Sequence, residues 1–179
     1  MNVNKTLLAA ICISTCCSAF ANETSNDTPA YLQITGDVNN AESNCSVSLS
    51  TSNMMLQNIN IISLPEQGSK ASIDKMDSFG VKLSGDKCDK TGITFISGTD
   101  NISGNTLNNN LTTPSAAKGV GIEVFDNHAD PINFNETVDP VWQLFSNNYP
   151  VYLRMTKLTG KTPVQGDVQA SMTVQLENL

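Results

Sequence analysis

Few side chains in this sequence could do acid–base or nucleophilic chemistry, and their spacing does not favour it. The chain has one histidine, His128, so any Ser-His-Asp or Cys-His arrangement would have to be built around it. Its setting, FDNHADP, is typical of a turn and predicts an exposed loop histidine. Asp126 and Asp130 flank it and could hold calcium together with backbone carbonyls, but their spacing matches no known calcium loop. We interpret them as solvated turn acids and expect no metal site.

Other catalytic patterns are also missing from the sequence. The remaining carboxylates are scattered, and no glycine-rich loop follows a strand and opens a helix, as a phosphate site would require. Trp142 and Tyr149 could stack on a sugar, although a buried or hairpin-end aromatic is the commoner arrangement. The sequence therefore predicts a protein that is not an enzyme and needs no cofactor.

The first 21 residues resemble a secretory signal peptide. Lys5 precedes an apolar run over residues 7–13, and the segment ends in Ala-Phe-Ala at residues 19–21. The apolar run is too short to anchor a protein in a bilayer. A lipoprotein signal at Cys16 or Cys17 is disfavoured, because the residues before them match the usual pattern poorly. We expect cleavage after Ala21 and a mature chain that starts at Asn22.

Removal of that segment would leave two of the five cysteines, Cys45 and Cys88. An even pair in an exported chain is most simply a disulfide, whereas metal binding by two cysteines without a second pair is disfavoured. The bridge would close a loop of roughly 44 residues, for which the chain-entropy model gives a stabilisation of about 4 kcal/mol.

The formal net charge of the chain is −7, and the sequence contains no cluster of basic residues. Both features disfavour nucleic acid and anionic membranes as partners.

Period-two alternation of apolar residues dominates the rest of the chain. It is clearest in YLQITGDV, FGVKL, GVGIEV, YPVYLRM and DVQASMTVQL, whereas no window of a dozen residues has a convincing helical period. After GVGIEV the chain is expected to turn at residues 126–131 and to resume a strand at Ile132 and Phe134. Seven or eight short strands separated by turns predict an all-β sandwich of immunoglobulin-like type, with a jelly roll as the alternative.

Four segments together resemble a known family. They are LQITGDVNNAESNCSVSL, FGVKLSGDKCDK, KGVGIEVFDNHADPINF and YPVYLRMTKLTGKTPVQGDVQASMTVQL, which span nearly the whole expected mature chain. In order and spacing they are similar to the bacterial fimbrial (pilus) subunits assembled by the chaperone-usher pathway, of the type 1 fimbrial protein kind.

The resemblance implies an incomplete immunoglobulin-like sandwich, the pilin fold, that a donor strand completes. Residues 22–38, called the arm below, would be the N-terminal donor-strand extension, and residues 39–179 the pilin domain. The predicted donor face consists of Ala30, Leu32, Ile34 and Gly36. The predicted edge of the acceptor groove consists of Val168, Ala170, Met172, Val174 and Leu176. Gly36 would let the arm pass bulky groove walls, and the alternative for this glycine is a bulge or bend in the strand.

The resemblance also implies partners and a location. A periplasmic chaperone would lend a strand to the groove, and at the outer-membrane usher the arm of a neighbouring fimbrial subunit would replace it. The product would be a fimbrium on the bacterial surface that supports cell adhesion, without direct membrane insertion. An arm with a single domain is typical of a shaft or linking subunit rather than of a tip adhesin. Leu176 stands where the family usually has an aromatic residue.

Two other functions remain open at this stage. A self-contained exported β-sandwich that binds carbohydrate would pair YLQITGDV within its own domain. A small secreted hydrolase is the second alternative, which the residue inventory disfavours.

Overall fold

The computed structural model describes residues 27–38, 45–86, 88–98, 104–138 and 148–179. The expected signal peptide, the first residues of the arm and Trp142 lie outside these ranges. The described residues form the strands β1 (Asp27–Val38), β2 (Cys45–Leu49), β3 (Asn53–Asn60), β4 (Asp77–Gly85), β5 (Thr91–Ile96), β6 (Thr106–Asn108), β7 (Val120–Phe125), β8 (Thr137–Val138), β9 (Asn148–Lys157) and β10 (Val168–Asn178). Three short 3₁₀ helices lie at Ile61–Ser63, Ile73–Lys75 and Cys88–Lys90.

The strands form two five-stranded sheets. Sheet 1 has the order β3-β1-β10-β5-β8, and sheet 2 has the order β2-β4-β9-β7-β6. Apart from β1 and β10, which run parallel, neighbouring strands in both sheets are antiparallel. The prediction of an all-β sandwich is confirmed.

The core lies between the two sheets and follows the alternation of the sequence. In β4, Phe79, Val81 and Leu83 are buried while Lys82 and Ser84 are exposed. Side chains on successive strand residues point to opposite faces, so this pattern turns one face of each sheet inward. A central strand departs from it, because every residue of β7 is buried.

A disulfide between Cys45 and Cys88 joins the two sheets. Cys45 begins β2 of sheet 2, and Cys88 lies in the 3₁₀ turn directly before β5 of sheet 1. The Cα atoms are 5.0 Å apart, within the usual range for a disulfide. The predicted pairing of these two cysteines is confirmed.

One buried ion pair lies in sheet 2. The carboxylate of Glu123 on β7 is 1% exposed and accepts hydrogen bonds from Arg154 Nε at 3.2 Å and Nη2 at 2.6 Å. Its other oxygen accepts from the backbone N–H of Gly68 at 2.6 Å. Arg154 Nη2 also donates to the carbonyl of Ser69 at 3.0 Å, and the guanidinium lies 5.0 Å from the ring centroid of Phe125. The pair thereby attaches the loop before β4 to the face of sheet 2.

Candidate functional site

The described part of the arm, β1, lies in a groove of its own domain. We define the groove as the space in sheet 1 between β10 and β3, which β1 alone joins in the observed strand order. β1 pairs parallel with β10, from Ala30 opposite Val168 to Val38 opposite Leu176. On its other side it pairs antiparallel with β3. Without β1, both neighbours would present unpaired backbone groups to the gap.

The inner face of β1 is apolar and closed off from solvent. Ala30, Leu32 and Ile34 are 2%, 0% and 1% exposed, whereas the outward Gln33 and Thr35 are exposed. Burying Leu32 and Ile34 contributes roughly 1.5–3 kcal/mol each of hydrophobic transfer free energy. The alternation seen in the sequence is therefore the feature that fits this strand to the groove.

The residues predicted to edge the groove lie directly beside that face. On β10, Ala170 is opposite Leu32 and Met172 is opposite Ile34. The whole predicted edge is buried, at 4% exposure or less: Val168, Ala170, Met172, Val174 and Leu176. The structure thus brings the predicted donor face and the predicted groove edge together within one chain. Donation of the arm to a neighbouring subunit stays a prediction.

Gly36 makes no close passage in the chain's own groove, and its predicted passage past the walls of a neighbour's groove stays a prediction. It is opposite Val174 and continues the inner face by alternation, but it is exposed. Among the described residues, a Cβ atom added at Gly36 would meet Val47 Cγ1 alone, at 3.8 Å, which is ordinary van der Waals contact. In its own groove the arm does not need glycine at this position to avoid a clash.

Two threonines of β1 have opposite surroundings. Thr28 is 0% exposed, and among the described residues its hydroxyl has no hydrogen-bond partner. Thr35 lies on the outer face, and its hydroxyl is 2.9 Å from the hydroxyl of Thr173 on β10. The pairing with β3 shifts by one register step between Thr28 and Ala30. Our sequence analysis missed Thr28, although extending the alternation back two residues from Ala30 reaches it.

The other residues considered for chemistry have structural surroundings. Asp126 is 6% exposed and accepts hydrogen bonds from the backbone N–H groups of His128 at 2.8 Å and Asp130 at 2.9 Å, so its carboxylate closes the turn. The expectation of a solvated acid is wrong for Asp126, because these two N–H groups replace water as its partners, whereas Asp130 is exposed. The side chain of His128 is 61% exposed and its Nδ1 lies 3.6 Å from Asp126 Oδ2. The prediction of an exposed turn histidine is confirmed.

Tyr149 belongs to the core. It is 1% exposed and its ring centroid lies 6.1 Å from that of Phe95 on the facing sheet. Burial, and to a lesser extent the negative charge of Asp126, raise the pKa of Tyr149 above its usual value. A side chain so enclosed does not offer its ring face to a sugar.

Within the described residues, no three His, Cys, Asp or Glu side chains come together in a group that could hold a metal ion. No helix in these ranges has the length and hydropathy of a membrane span.

Comparison with known proteins places the chain in a family. The family model described as fimbrial protein matches residues 32–177, so the chain belongs to the fimbrial protein family. A search of the curated proteins found no match. The family predicted from the four sequence segments is confirmed.

Solved structures of fimbrial proteins are similar to this chain. The rod subunit PapA of the P pilus matches with a TM-score of 0.50 and 16% sequence identity, covering 79% of this chain and 97% of that one. An antigen and type I fimbria protein of Burkholderia pseudomallei matches with a TM-score of 0.45 and 16% identity, covering 84% of this chain and 91% of that one. At this identity the match to PapA bears on the fold alone, and it confirms the predicted pilin sandwich.

Family and fold together define a subunit of a fimbria. The partners that follow from this class are other subunits of the same fibre, and the family is one of exported surface proteins. Membership of a family of fimbrial subunits favours the prediction that the chain is not an enzyme, which stays a prediction.

Proposed function

We propose that this chain is a non-enzymatic structural subunit that polymerises by strand exchange. In the fibre, the arm of one copy occupies the groove of the next, and the fibre supports cell adhesion at the bacterial surface. The observation that carries the proposal is the fit between β1 and the groove. The inner side chains of β1, Leu32 and Ile34, lie opposite the buried Ala170 and Met172 of β10.

Exchange follows from the physics of a sheet with a removable strand. Once β1 leaves, the groove exposes the edges of β3 and β10 together with their apolar inner side chains, and such a surface tends to aggregate. An added strand satisfies the backbone hydrogen bonds and buries alternate side chains in one step. An identical arm from a neighbour carries the same apolar side chains as the one that was removed.

An open groove needs protection before a neighbour arrives. We infer that a periplasmic chaperone covers it with a strand of its own and that the arm of the next subunit displaces the chaperone at the outer-membrane usher. The expected signal peptide, residues 1–21, would direct export to the periplasm. In this scheme residues 22–38 are the donor extension and residues 39–179 the acceptor domain.

One observation favours the alternative of a self-contained exported module that binds carbohydrate. In the single chain, β1 pairs within its own domain, as that function requires. Against it, the aromatic ring of Tyr149, considered for sugar stacking, is enclosed in the core. The family membership also favours the fibre subunit.

A detergent gel of surface material discriminates the two functions. Unboiled samples should show a ladder of multimers that collapses on boiling, and electron microscopy should show fibres, because strand-complemented contacts resist detergent until heated. Deletion of residues 22–35 should leave a subunit that remains bound to the chaperone and caps a fibre without extending it. A single monomer band from the unaltered protein would instead support the carbohydrate-binding module.

A further inference from the structure

The inner face of β1 contains one residue that does not suit its position. Leu32 and Ile34 are apolar, but Thr28, two residues before Ala30, carries a hydroxyl into a site with 0% exposure. Among the described residues that hydroxyl has no hydrogen-bond partner. Other fully buried threonines differ in this respect: Thr156 on β9 donates its hydroxyl hydrogen bond to the carbonyl of Pro65 at 2.9 Å.

The unpartnered hydroxyl weakens the self-bound arm. When β1 leaves the groove, the Thr28 hydroxyl regains hydrogen bonds to water, which it lacks when buried. The free energy of the released arm is therefore lowered relative to that of the self-bound arm. An apolar side chain of the same shape would have no such preference for release.

We propose that Thr28 sets how readily the arm leaves its own groove and so becomes available for exchange between subunits. The inference rests on the proposed strand exchange and concerns the regulation of that same site. A subunit whose arm binds its own groove too tightly cannot donate that arm and cannot accept another. An unpartnered hydroxyl at the beginning of β1 weakens the binding of the arm to its own groove. It leaves unchanged Leu32 and Ile34, the apolar side chains that would fill a neighbour's groove in strand exchange.

The test replaces Thr28 by valine, which keeps the shape and removes the hydroxyl. In the purified monomer, hydrogen exchange of the β1 amides reports the fraction of molecules with a released arm. Thr28→Val should lower that exchange about tenfold, the size expected when one buried unpartnered hydroxyl is removed. It should slow to a similar extent the uptake of a fluorescent synthetic peptide that copies residues 27–38 of the unaltered chain.

Two control variants separate the hydroxyl from other effects. Thr35→Val makes the same substitution on the same strand, but there the hydroxyl is 2.9 Å from that of Thr173. Its loss should leave hydrogen exchange unchanged or raise it. Thr28→Ser keeps the buried hydroxyl and should not protect the arm.

The outcomes distinguish this inference from the proposed function. If the monomer takes up the peptide but Thr28→Val exchanges at the unaltered rate or faster, Thr28 does not control release, although strand exchange stands. If Thr28→Val gains protection but no variant takes up peptide and no detergent-resistant ladder forms, strand exchange itself is wrong, and with it the role of Thr28 in exchange.

Discussion

Glu123 and Arg154 show how this fold accommodates charge inside a sheet. Both oxygens of the Glu123 carboxylate accept hydrogen bonds: Oε2 accepts from Arg154 and Oε1 from the Gly68 N–H. A carboxylate that is 1% exposed is tolerated only with such partners, since removing a charge from water costs several kcal/mol. The pair therefore fixes the loop of Gly68 and Ser69 against β7 and β9.

Loss of the arginine should be costly because it leaves that carboxylate unpaired. Arg154→Met should lower the free energy of unfolding by about 3–5 kcal/mol, measured by urea denaturation of the monomer. A double variant, Arg154→Met with Glu123→Gln, should recover part of the loss, because glutamine keeps an acceptor for Gly68 without a charge. Lys157→Met, on the same strand, breaks a more exposed pair with Glu66 and should cost at most about 1 kcal/mol. A double variant that is no more stable than Arg154→Met would show that the unpaired charge is not the cause.

At the scale of elements, alternation predicts strands and faces but not partners. The residues of β10 fulfil the pattern completely, from Val168 to Leu176. Ile132 and Phe134 were expected to form a strand and do not. They are buried within a loop, where the N–H of Ile132 donates to Val124 and that of Phe134 to Gly104. A period of two is satisfied by any chain that points alternate side chains into a core, so it cannot separate these cases.

The sequence could not show which groove receives β1, for a related reason. Alternation places Leu32 and Ile34 on the buried face, and either the chain's own groove or that of a neighbour would bury them equally well. The unpartnered Thr28 was also invisible, because a threonine is a common strand residue and only the packed structure shows whether its hydroxyl has a partner. The disulfide, in contrast, followed from counting the cysteines that would remain after removal of the expected signal peptide.

The two faces of β1 should respond differently to truncation. Leu32→Ala should lower the free energy of unfolding of the monomer by about 2–5 kcal/mol, because it removes a fully buried side chain and leaves a cavity. Gln33→Ala, one residue away on the exposed face, should change it by less than about 0.5 kcal/mol. Urea denaturation followed by tyrosine and tryptophan fluorescence measures both. Equal effects would mean that β1 does not insert with the face that the structure shows.

At the scale of the molecule, the proposed strand exchange gives one groove two possible occupants. The chain's own arm is covalently attached to the domain, and a tethered segment has an effective concentration near the millimolar range. A neighbouring subunit at lower concentration must compete with that advantage. If assembly proceeds by the proposed exchange, it depends on whatever keeps the groove free of the chain's own arm, which is the role we propose for the chaperone and, within the chain, for Thr28.

Covalent closure of the self-bound arm should abolish polymerisation. Thr35 and Thr173 are directly opposite in the β1–β10 pairing and their hydroxyl oxygens are 2.9 Å apart, so Thr35→Cys with Thr173→Cys should form a disulfide within one chain. The locked protein should run as a monomer in unboiled detergent and form no fibres, whereas the single variant Thr35→Cys should assemble normally. A mild reductant should restore assembly, because the new bridge is exposed while Cys45 is 2% exposed and its disulfide is harder to reach. If the locked protein still gives a detergent-resistant ladder, release of β1 is not required for assembly and the fibre is built through another contact.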